Sequence, residues 1–124
     1  EIYGSDLNPH AAEFLQLNLP DHNTRCADAL NLSRELPECC DLLLVNLPHE
    51  SIEHLPHLLG LLKKGHEVVI RGWAIISIDL LEDAEMKIRK HLADTELISL
   101  KIESKKSYAS NITYASIEAH IIRN

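Results

Sequence analysis

The chain is poor in aromatic residues and has no long hydrophobic run. Phe, Trp and Tyr make up 4% of its 124 residues, whereas 45% are hydrophobic, so we expect an aliphatic core. No apolar stretch reaches the roughly 18 residues that a membrane-spanning helix needs, and we therefore expect no membrane partner. The polar start, EIYGSDLNPH, also lacks the basic segment with which a signal peptide begins.

Basic residues and cysteines are also scarce. Lys and Arg number 12 against 19 Asp and Glu, and the net charge of −7 does not favour strong non-specific binding to nucleic acid. A basic RNA-binding region on another domain stays open. The three cysteines are an odd number, and neighbours such as Cys39 and Cys40 rarely bridge each other, which favours a reduced, cytoplasmic setting.

Histidines raise the question of a metal site. His49, His54 and His57 have the spacing H-x4-H-x2-H, but no cysteine lies near them in the sequence. The cysteines themselves lack a C-x2-C spacing. We therefore expect no bound metal and interpret the histidines as the solvated start of a helix.

Strand and helix signals alternate along most of the chain. Apolar runs predict strands at EIYGSD, NTRCADAL, CDLLLVNL and HEVVIRGWAII. Helices are predicted at LNPHAAEFLQLNL, LPHLLGLLKKG and LLEDAEMKIRKHLAD, with a brief helical segment at SRELPE. Asn8 is the expected N-cap of the first helix, and Phe14 belongs to its apolar face. This alternation predicts an α/β fold in a single domain, residues 1–124, with helices on both faces of a parallel sheet.

The chain ends differently, in two strands without a helix between them. ELISLKIES and ITYASIEAHII alternate apolar and polar residues, and the segment KKSYASN joins them. This pattern predicts an antiparallel pair with a loop at Lys105–Asn111. Such a hairpin on a parallel sheet resembles the ending of class I S-adenosylmethionine-dependent methyltransferases.

The third strand, CDLLLVNL, is apolar on both faces, which is typical of a central parallel strand covered by helices on each side. It stops abruptly at Asn46, Leu47 and Pro48. Ligands bind at the carboxyl ends of strands in open α/β sheets, so this stop predicts a ligand site.

Four segments carry a resemblance to a known family: IYGSDLNPHAAEFLQLN, CADAL, LLVNLPHES and KKSYAS. In order and spacing they resemble the archaeal and eukaryotic tRNA guanine-37 N1-methyltransferases, and equally the related wybutosine-pathway aminocarboxypropyl transferases. The resemblance covers the whole chain. It implies the Rossmann-like class I methyltransferase fold, S-adenosylmethionine as cofactor, and tRNA as a partner bound through parts not on this chain.

The resemblance also implies a cofactor site at the ends of the first two strands. Asp6 would accept hydrogen bonds from the ribose hydroxyls, and Leu7 would pack on the adenine. Asp28 would meet the adenine amino group, with the Ala29 backbone beside it. The alternatives from the residues alone are a carboxylate at a helix N-terminus for Asp6 and an ordinary turn residue for Asp28.

The catalytic loop implied by the resemblance is the stretch NLPH. Asn46 would orient the target base, border the cofactor, and stabilise charge on the guanine, while Pro48 fixes the loop so that the Leu47 carbonyl faces the pocket. His49 could stack on a base or have no role, and Tyr108 would lie near the substrate entrance or only pack over the end of the sheet. The alternative for Asn46 is a residue that only caps the segment after the strand.

In this family a strand with a glycine-rich loop precedes the acidic strand that here ends at Asp6. The chain is therefore expected to correspond to the C-terminal portion of such an enzyme, either as a fragment or as a degenerate relative, incomplete at its N-terminus, with the general base upstream. A gap is expected between the Ile2–Asp6 and Leu42–Asn46 strands. We expect either direct pairing across it or self-association through the unpaired edges.

Three functions remain open at this point. The first is transfer of a methyl group to N1 of a guanine in tRNA. The second is aminocarboxypropyl transfer with the same cofactor. The third is a non-catalytic remnant or interaction module that keeps the fold and binds no cofactor.

Overall fold

Strands and helices alternate over the first two thirds of the chain, and two long strands close it. A computed structural model describes all residues, 1–124. The strands are β1 (Tyr3–Asp6), β2 (Asn23–Cys26), β3 (Leu42–Val45), β4 (Glu67–Ser77), β5 (Glu96–Ala109) and β6 (Ile112–Ile122). The helices are α1 (Pro9–Asn18), α2 (Leu32–Glu35), α3 (Ser51–Leu58) and α4 (Leu81–His91). Short 3-10 turns lie at Ala29–Asn31, Leu59–Leu61 and Ile78–Leu80.

The strands form two separate sheets. β1 and β2 pair in parallel, with Asp6 opposite Cys26. The second sheet has the order β3-β4-β6-β5, in which β3 and β4 are parallel and the other pairings are antiparallel. The expected closing hairpin is therefore confirmed. β1 does not pair with β3, so the expected gap between them stays open.

The hydrophobic core belongs to the larger sheet. All 17 buried hydrophobic residues of the core lie between Leu43 and Ile121, and α3 and α4 supply its helical part. Ala84 and Ile88 of α4 are buried, as is Leu92 just after it, and Leu81 is half-buried. The apolar side chains of β6 at Ala115, Ile117, Ala119 and Ile121 are buried as predicted.

The first helix begins as predicted, but none of its residues is fully buried, and Leu15 is half-buried. The Asn8 side chain accepts a hydrogen bond from the His10 N–H, which confirms it as the N-cap. Phe14, predicted on the apolar face, is 66% exposed, and no residue of α1 is buried. The reason is that α1 packs only on the two-stranded sheet of β1 and β2, which is too small to cover its apolar face.

This difference in burial predicts a difference in local stability. We expect the backbone amides of β1, α1 and β2 to exchange with solvent deuterium at least about tenfold faster than those of β4 and β6, because regions with few buried contacts open first. Hydrogen-exchange mass spectrometry on the 124-residue chain measures both groups. Equal protection in both would show that the β1–β2 unit is held as firmly as the core.

Strand β3 is covered on one face only, contrary to the prediction of helices on both. Leu43 and Val45 are buried against the side that carries α3 and α4. Leu42 and Leu44 point to the other face and are 46% and 70% exposed. The reason is that no helix of the described chain packs over that face, which we call the open face.

The helix predicted over LPHLLGLLKKG is shifted in the structure. It begins earlier, at Ser51, contains Pro56, and ends at Leu58, where the chain changes to a 3-10 turn. Leu62 then leaves helical geometry to form a parallel bridge with Cys40. Gly65 does not end the helix. It adopts a φ of +82° in the turn before β4, a conformation that favours glycine.

The predicted loop Lys105–Asn111 is mostly strand. β5 continues to Ala109, and the turn consists of Ser110 and Asn111, the latter with a φ of 60°. A bulge between Leu97 and Ser99 also breaks the predicted alternation. It places Ile98 outside the core and leaves it 47% exposed.

Charged residues occupy the β6 part of the open face. His120 Nε2 lies 2.8 Å from a Glu118 oxygen, and its Nδ1 lies 3.3 Å from Glu67. These hydrogen bonds, first that with Glu118, raise the pKa of His120 above its ordinary 6.5. The bond with His120 in turn lowers the pKa of Glu118 below its ordinary 4.5. Arg71 also faces Glu118 at 3.5 Å.

A pH dependence of stability follows from this pair. The raised pKa of His120 stabilises the fold fully below about pH 6.5, and this contribution is lost as the pH rises through the folded pKa. Because the pKa of Glu118 is lowered, its ionised carboxylate stabilises the fold above about pH 4.5. This contribution is lost as the pH falls through the folded pKa. We expect His120→Gln to lower the free energy of unfolding more at pH 5.5 than at about pH 8.5. Urea denaturation of both proteins at both pH values measures this, and equal losses would contradict it.

Candidate functional site

The loop after β3 is attached to β4 at two points. The Ile75 N–H donates to the Pro48 carbonyl at 2.8 Å. The Ser51 hydroxyl lies 2.7 Å from the Trp73 carbonyl oxygen and accepts a hydrogen bond from the Leu47 N–H at 3.2 Å. Ser51 itself is only 5% exposed. The end of β3 is therefore held in a defined position against β4.

Asn46 has no hydrogen-bond partner in the protein. Its side chain is exposed, and neither its amide nor its backbone N–H and C=O bonds to another residue. It directly follows Val45, the last residue of β3. The structure therefore contains no capping bond from Asn46, and all its polar groups face outward and are free.

The Leu47 carbonyl does not face a pocket. It accepts the Glu50 N–H at 2.7 Å and lies 2.9 Å from the Ser51 hydroxyl. The Leu47 carbonyl was expected to face the pocket. It does not, because the loop turns back on itself to begin α3. The Asn46 carbonyl, in contrast, has no donor within the protein. Pro48 is half-buried, and His49 is exposed.

Asp6 and Leu7 lie where β1 ends. Asp6 Oδ1 accepts the Asn8 N–H at 2.9 Å, which leaves the other carboxylate oxygen without a protein donor. The Asp6 carbonyl accepts the Ala27 N–H at 3.1 Å, so the exits of β1 and β2 lie together. Leu7 is 66% exposed, so it does not pack in the core.

Asp28 and Ala29 lie at the exit of β2. Asp28 Oδ1 accepts the Leu30 N–H at 3.0 Å and caps the 3-10 turn that begins at Ala29. Its second oxygen has no protein donor. Ala29 packs against the edge of the main core, as does Leu47, so the exits of β2 and β3 both border that core.

These positions fit the adenosine half of S-adenosylmethionine. Asp6 and Asp28 each keep one carboxylate oxygen free, which is the acceptor that a ribose diol and an adenine amino group require. Leu7, next to Asp6, is an exposed apolar side chain at the same strand end.

Tyr108 lies on a strand and not in a loop. It is near the end of β5 and is 57% exposed, and no hydrogen bond joins it to the NLPH loop. The aromatic pair in the structure is Trp73 and Tyr114, whose ring centroids are 5.5 Å apart. Trp73 is 41% exposed, so this pair forms part of the open face.

Ser51 and Trp73 were not singled out from the sequence. The signal for Ser51 is a small hydroxyl residue directly after NLPHE, at the expected start of a helix. No signal in the sequence indicates that its partner is the Trp73 carbonyl. No group of three or more His, Cys, Asp or Glu residues lies close enough to hold a metal ion. No helix is long and apolar enough to cross a membrane.

One cysteine has a perturbed pKa outside this loop. Burial, followed by the neighbouring Cys39, raises the pKa of the Cys40 thiol to about 12. Cys40 also donates to the Leu61 carbonyl at 3.3 Å. It therefore stays a neutral thiol at physiological pH, and all three cysteines are free.

The fold is the Rossmann-like class I S-adenosylmethionine-dependent methyltransferase fold, and it resembles two groups of tRNA-modifying enzymes. The structure of M. jannaschii TYW2 in complex with AdoMet matches 98% of this chain with a TM-score of 0.81 at 18% identity. The M. jannaschii tRNA m1G37 methyltransferase matches 100% of it with a TM-score of 0.74 at 25% identity. The structure of aTrm5 with tRNALeu matches 99% with a TM-score of 0.72 at 26% identity.

The chain spans 57%, 38% and 35% of the length of these three proteins, in that order. The resemblance expected from the sequence is thus confirmed at the level of structure. No protein-family model matches the sequence, and no curated protein matches it.

Proposed function

We propose that this chain is part of an S-adenosylmethionine-dependent methyltransferase that acts on N1 of a guanine in tRNA. The observation that carries the proposal is Asn46, which ends a parallel strand with every polar group free in a loop held firmly by β4. The similarity to a tRNA m1G37 methyltransferase along the whole chain supports the choice of substrate.

Cofactor binding would fall to the exits of β1 and β2. Asp6 would bind the ribose hydroxyls through its free oxygen, and Asp28 would accept a hydrogen bond from the adenine amino group. Leu7 and Ala29 would pack beside the adenine. When bound, S-adenosylmethionine supplies the electrophilic methyl carbon of its sulfonium.

Asn46 would hold the substrate. Its amide can accept a hydrogen bond from a base N–H and donate another to a base oxygen, so it can fix the guanine edge in line with the reaction direction. Its N–H groups would also stabilise negative charge as the guanine N1 loses its proton. That proton requires a general base, which we place outside this chain. Pro48 and His49 would shape the loop and border the base.

Two alternatives remain. Aminocarboxypropyl transfer uses the same cofactor, and the similarity to TYW2 favours it equally on structural grounds. A non-catalytic module is favoured by the open gap between β1 and β3. In either enzymatic case tRNA would be held largely by parts outside this acidic chain, in the cytoplasm, without a metal.

The deciding experiment uses the full-length protein. Thermal shift with S-adenosylhomocysteine tests cofactor binding, because a ligand of the folded state raises the apparent stability. Incubation with tRNA and S-adenosylmethionine, followed by mass analysis of the nucleosides, separates a methylated guanine from an aminocarboxypropyl product. No thermal shift and no product would leave the non-catalytic module as the function.

A further inference from the structure

A side-chain hydroxyl takes the place of one backbone hydrogen bond between β3 and β4. In a parallel pair, every second residue of each strand bonds to its neighbour. The bond from the Val69 N–H to the Asp41 carbonyl sets this register, and its continuation would join the Leu47 N–H to the Trp73 carbonyl. Instead the Ser51 hydroxyl lies between the two, 3.2 Å from the Leu47 nitrogen and 2.7 Å from the Trp73 oxygen.

The hydroxyl has one proton and two carbonyl oxygens within reach. The Leu47 carbonyl, at 2.9 Å, already accepts the Glu50 N–H. The Trp73 carbonyl points toward β3, where it has no backbone donor. Because the Leu47 carbonyl already has a donor and the Trp73 carbonyl has no other, the Ser51 proton goes to Trp73, and the chain of bonds runs from Leu47 through Ser51 to β4.

The inserted hydroxyl also shifts the next backbone hydrogen bond between the two strands. The Ile75 N–H would bond to the Leu47 carbonyl in a regular ladder, but it donates to Pro48 at 2.8 Å. A direct bond between Leu47 and Trp73 would bring the strand end about 2 Å closer to β4 than the two bonds through Ser51 do. Ser51 therefore sets how far the loop stands away from β4.

We propose that Ser51 is a positioning residue for Asn46, an inference that rests on the function proposed above. The peptide unit between Asn46 and Leu47 is planar and trans, so its N–H and C=O point in opposite directions. With the Leu47 N–H directed at Ser51, the Asn46 carbonyl must point away from α3, into the free space beside β3. Ser51 thereby fixes the orientation of the peptide group between Asn46 and Leu47, and it does so without contacting the reacting atoms.

A matched pair of variants tests this role in the full-length protein. Ser51→Thr keeps the hydroxyl, whereas Ser51→Val has the shape of the threonine variant without the hydroxyl. We expect Ser51→Val to lower kcat roughly tenfold to a hundredfold, the range for small displacements of a catalytic group, with KM for tRNA and Kd for S-adenosylhomocysteine changed less than about twofold. Ser51→Thr should stay within about threefold of the original protein. Ser51→Ala, which is too small to clash, should behave like Ser51→Val.

Hydrogen exchange on the same proteins gives a second readout that does not depend on activity. The Leu47 amide should exchange faster in Ser51→Val and Ser51→Ala than in Ser51→Thr. If the Thr and Val variants lose kcat equally, or if KM rises as much as kcat falls, the positioning role is wrong. If the original protein modifies no tRNA, the proposed function is wrong. The role of Ser51 in holding the loop is tested separately, and equal exchange of the Leu47 amide in the Thr and Val variants would contradict it.

Discussion

Replacing Asn46 with alanine is expected, on the function proposed above, to lower turnover by the full-length protein about a hundredfold or more, the usual loss on removing one preorganised donor of a charge-stabilising site. Asn46 makes no hydrogen bond within the protein, so the substitution breaks nothing that holds the fold. We therefore expect the melting temperature and the affinity for S-adenosylhomocysteine to change little. Steady-state kinetics, thermal unfolding and calorimetric titration measure the three quantities.

The matched control for this variant is Asn18→Ala, an exposed asparagine at the end of α1. It should leave turnover unchanged. A loss of cofactor affinity as large as the loss of turnover in Asn46→Ala would assign Asn46 to the cofactor alone. A large fall in the melting temperature would instead mean that Asn46 supports the fold.

The 124-residue chain by itself is expected to bind S-adenosylhomocysteine weakly or not at all. Asp6 and Asp28 lie on the two-stranded sheet, while Asn46 lies on the four-stranded one, and no strand pairing joins the two sheets. No strand pairing therefore fixes the two halves of the site relative to each other, although Ala29 packs on the main core, and we expect binding to bear part of the cost of ordering them. Calorimetric titration measures the affinity. Micromolar binding by a monomer with the gap open would show that this missing pairing matters less than we propose.

The same gap predicts association between copies of the chain. β3 has an unpaired edge whose side chains Leu42 and Leu44 are exposed, and such edges recruit other strands. Size-exclusion chromatography with light scattering should detect species larger than a monomer. Leu44→Lys places a charge beside this edge and should shift the population to monomer. Leu17→Lys, at a leucine on α1 that is 74% exposed, is the matched control and should not. Equal effects of both variants would assign the association to general surface hydrophobicity.

Local rules in the sequence were sufficient for most elements. Asn8 and Pro9 predict the start of α1 because their effect is confined to one helical turn. The alternation of β6 predicts its buried face because side chains in a strand point to opposite sides in turn. The stop at Asn46 and Pro48 likewise indicates the end of β3, since proline has no N–H to donate to a neighbouring strand.

Features that depend on what packs against an element required the tertiary structure. CDLLLVNL is apolar on both faces, yet Leu44 is exposed, because the sequence of a strand does not state which helices cover it. KKSYA has the composition of a loop, yet it continues β5, because pairing with β6 outweighs weak local preferences.

The site shows the same division. Asn46 could be proposed as a site residue from the sequence, since the end of a parallel strand is a local signal combined with a general rule about ligand positions, and its role stays a prediction. The role of Ser51 could not be predicted, because it depends on the register that brings the Trp73 carbonyl opposite the Leu47 N–H. That register is set by the whole β3–β4 pairing, so only the folded chain determines which bond the Ser51 hydroxyl completes.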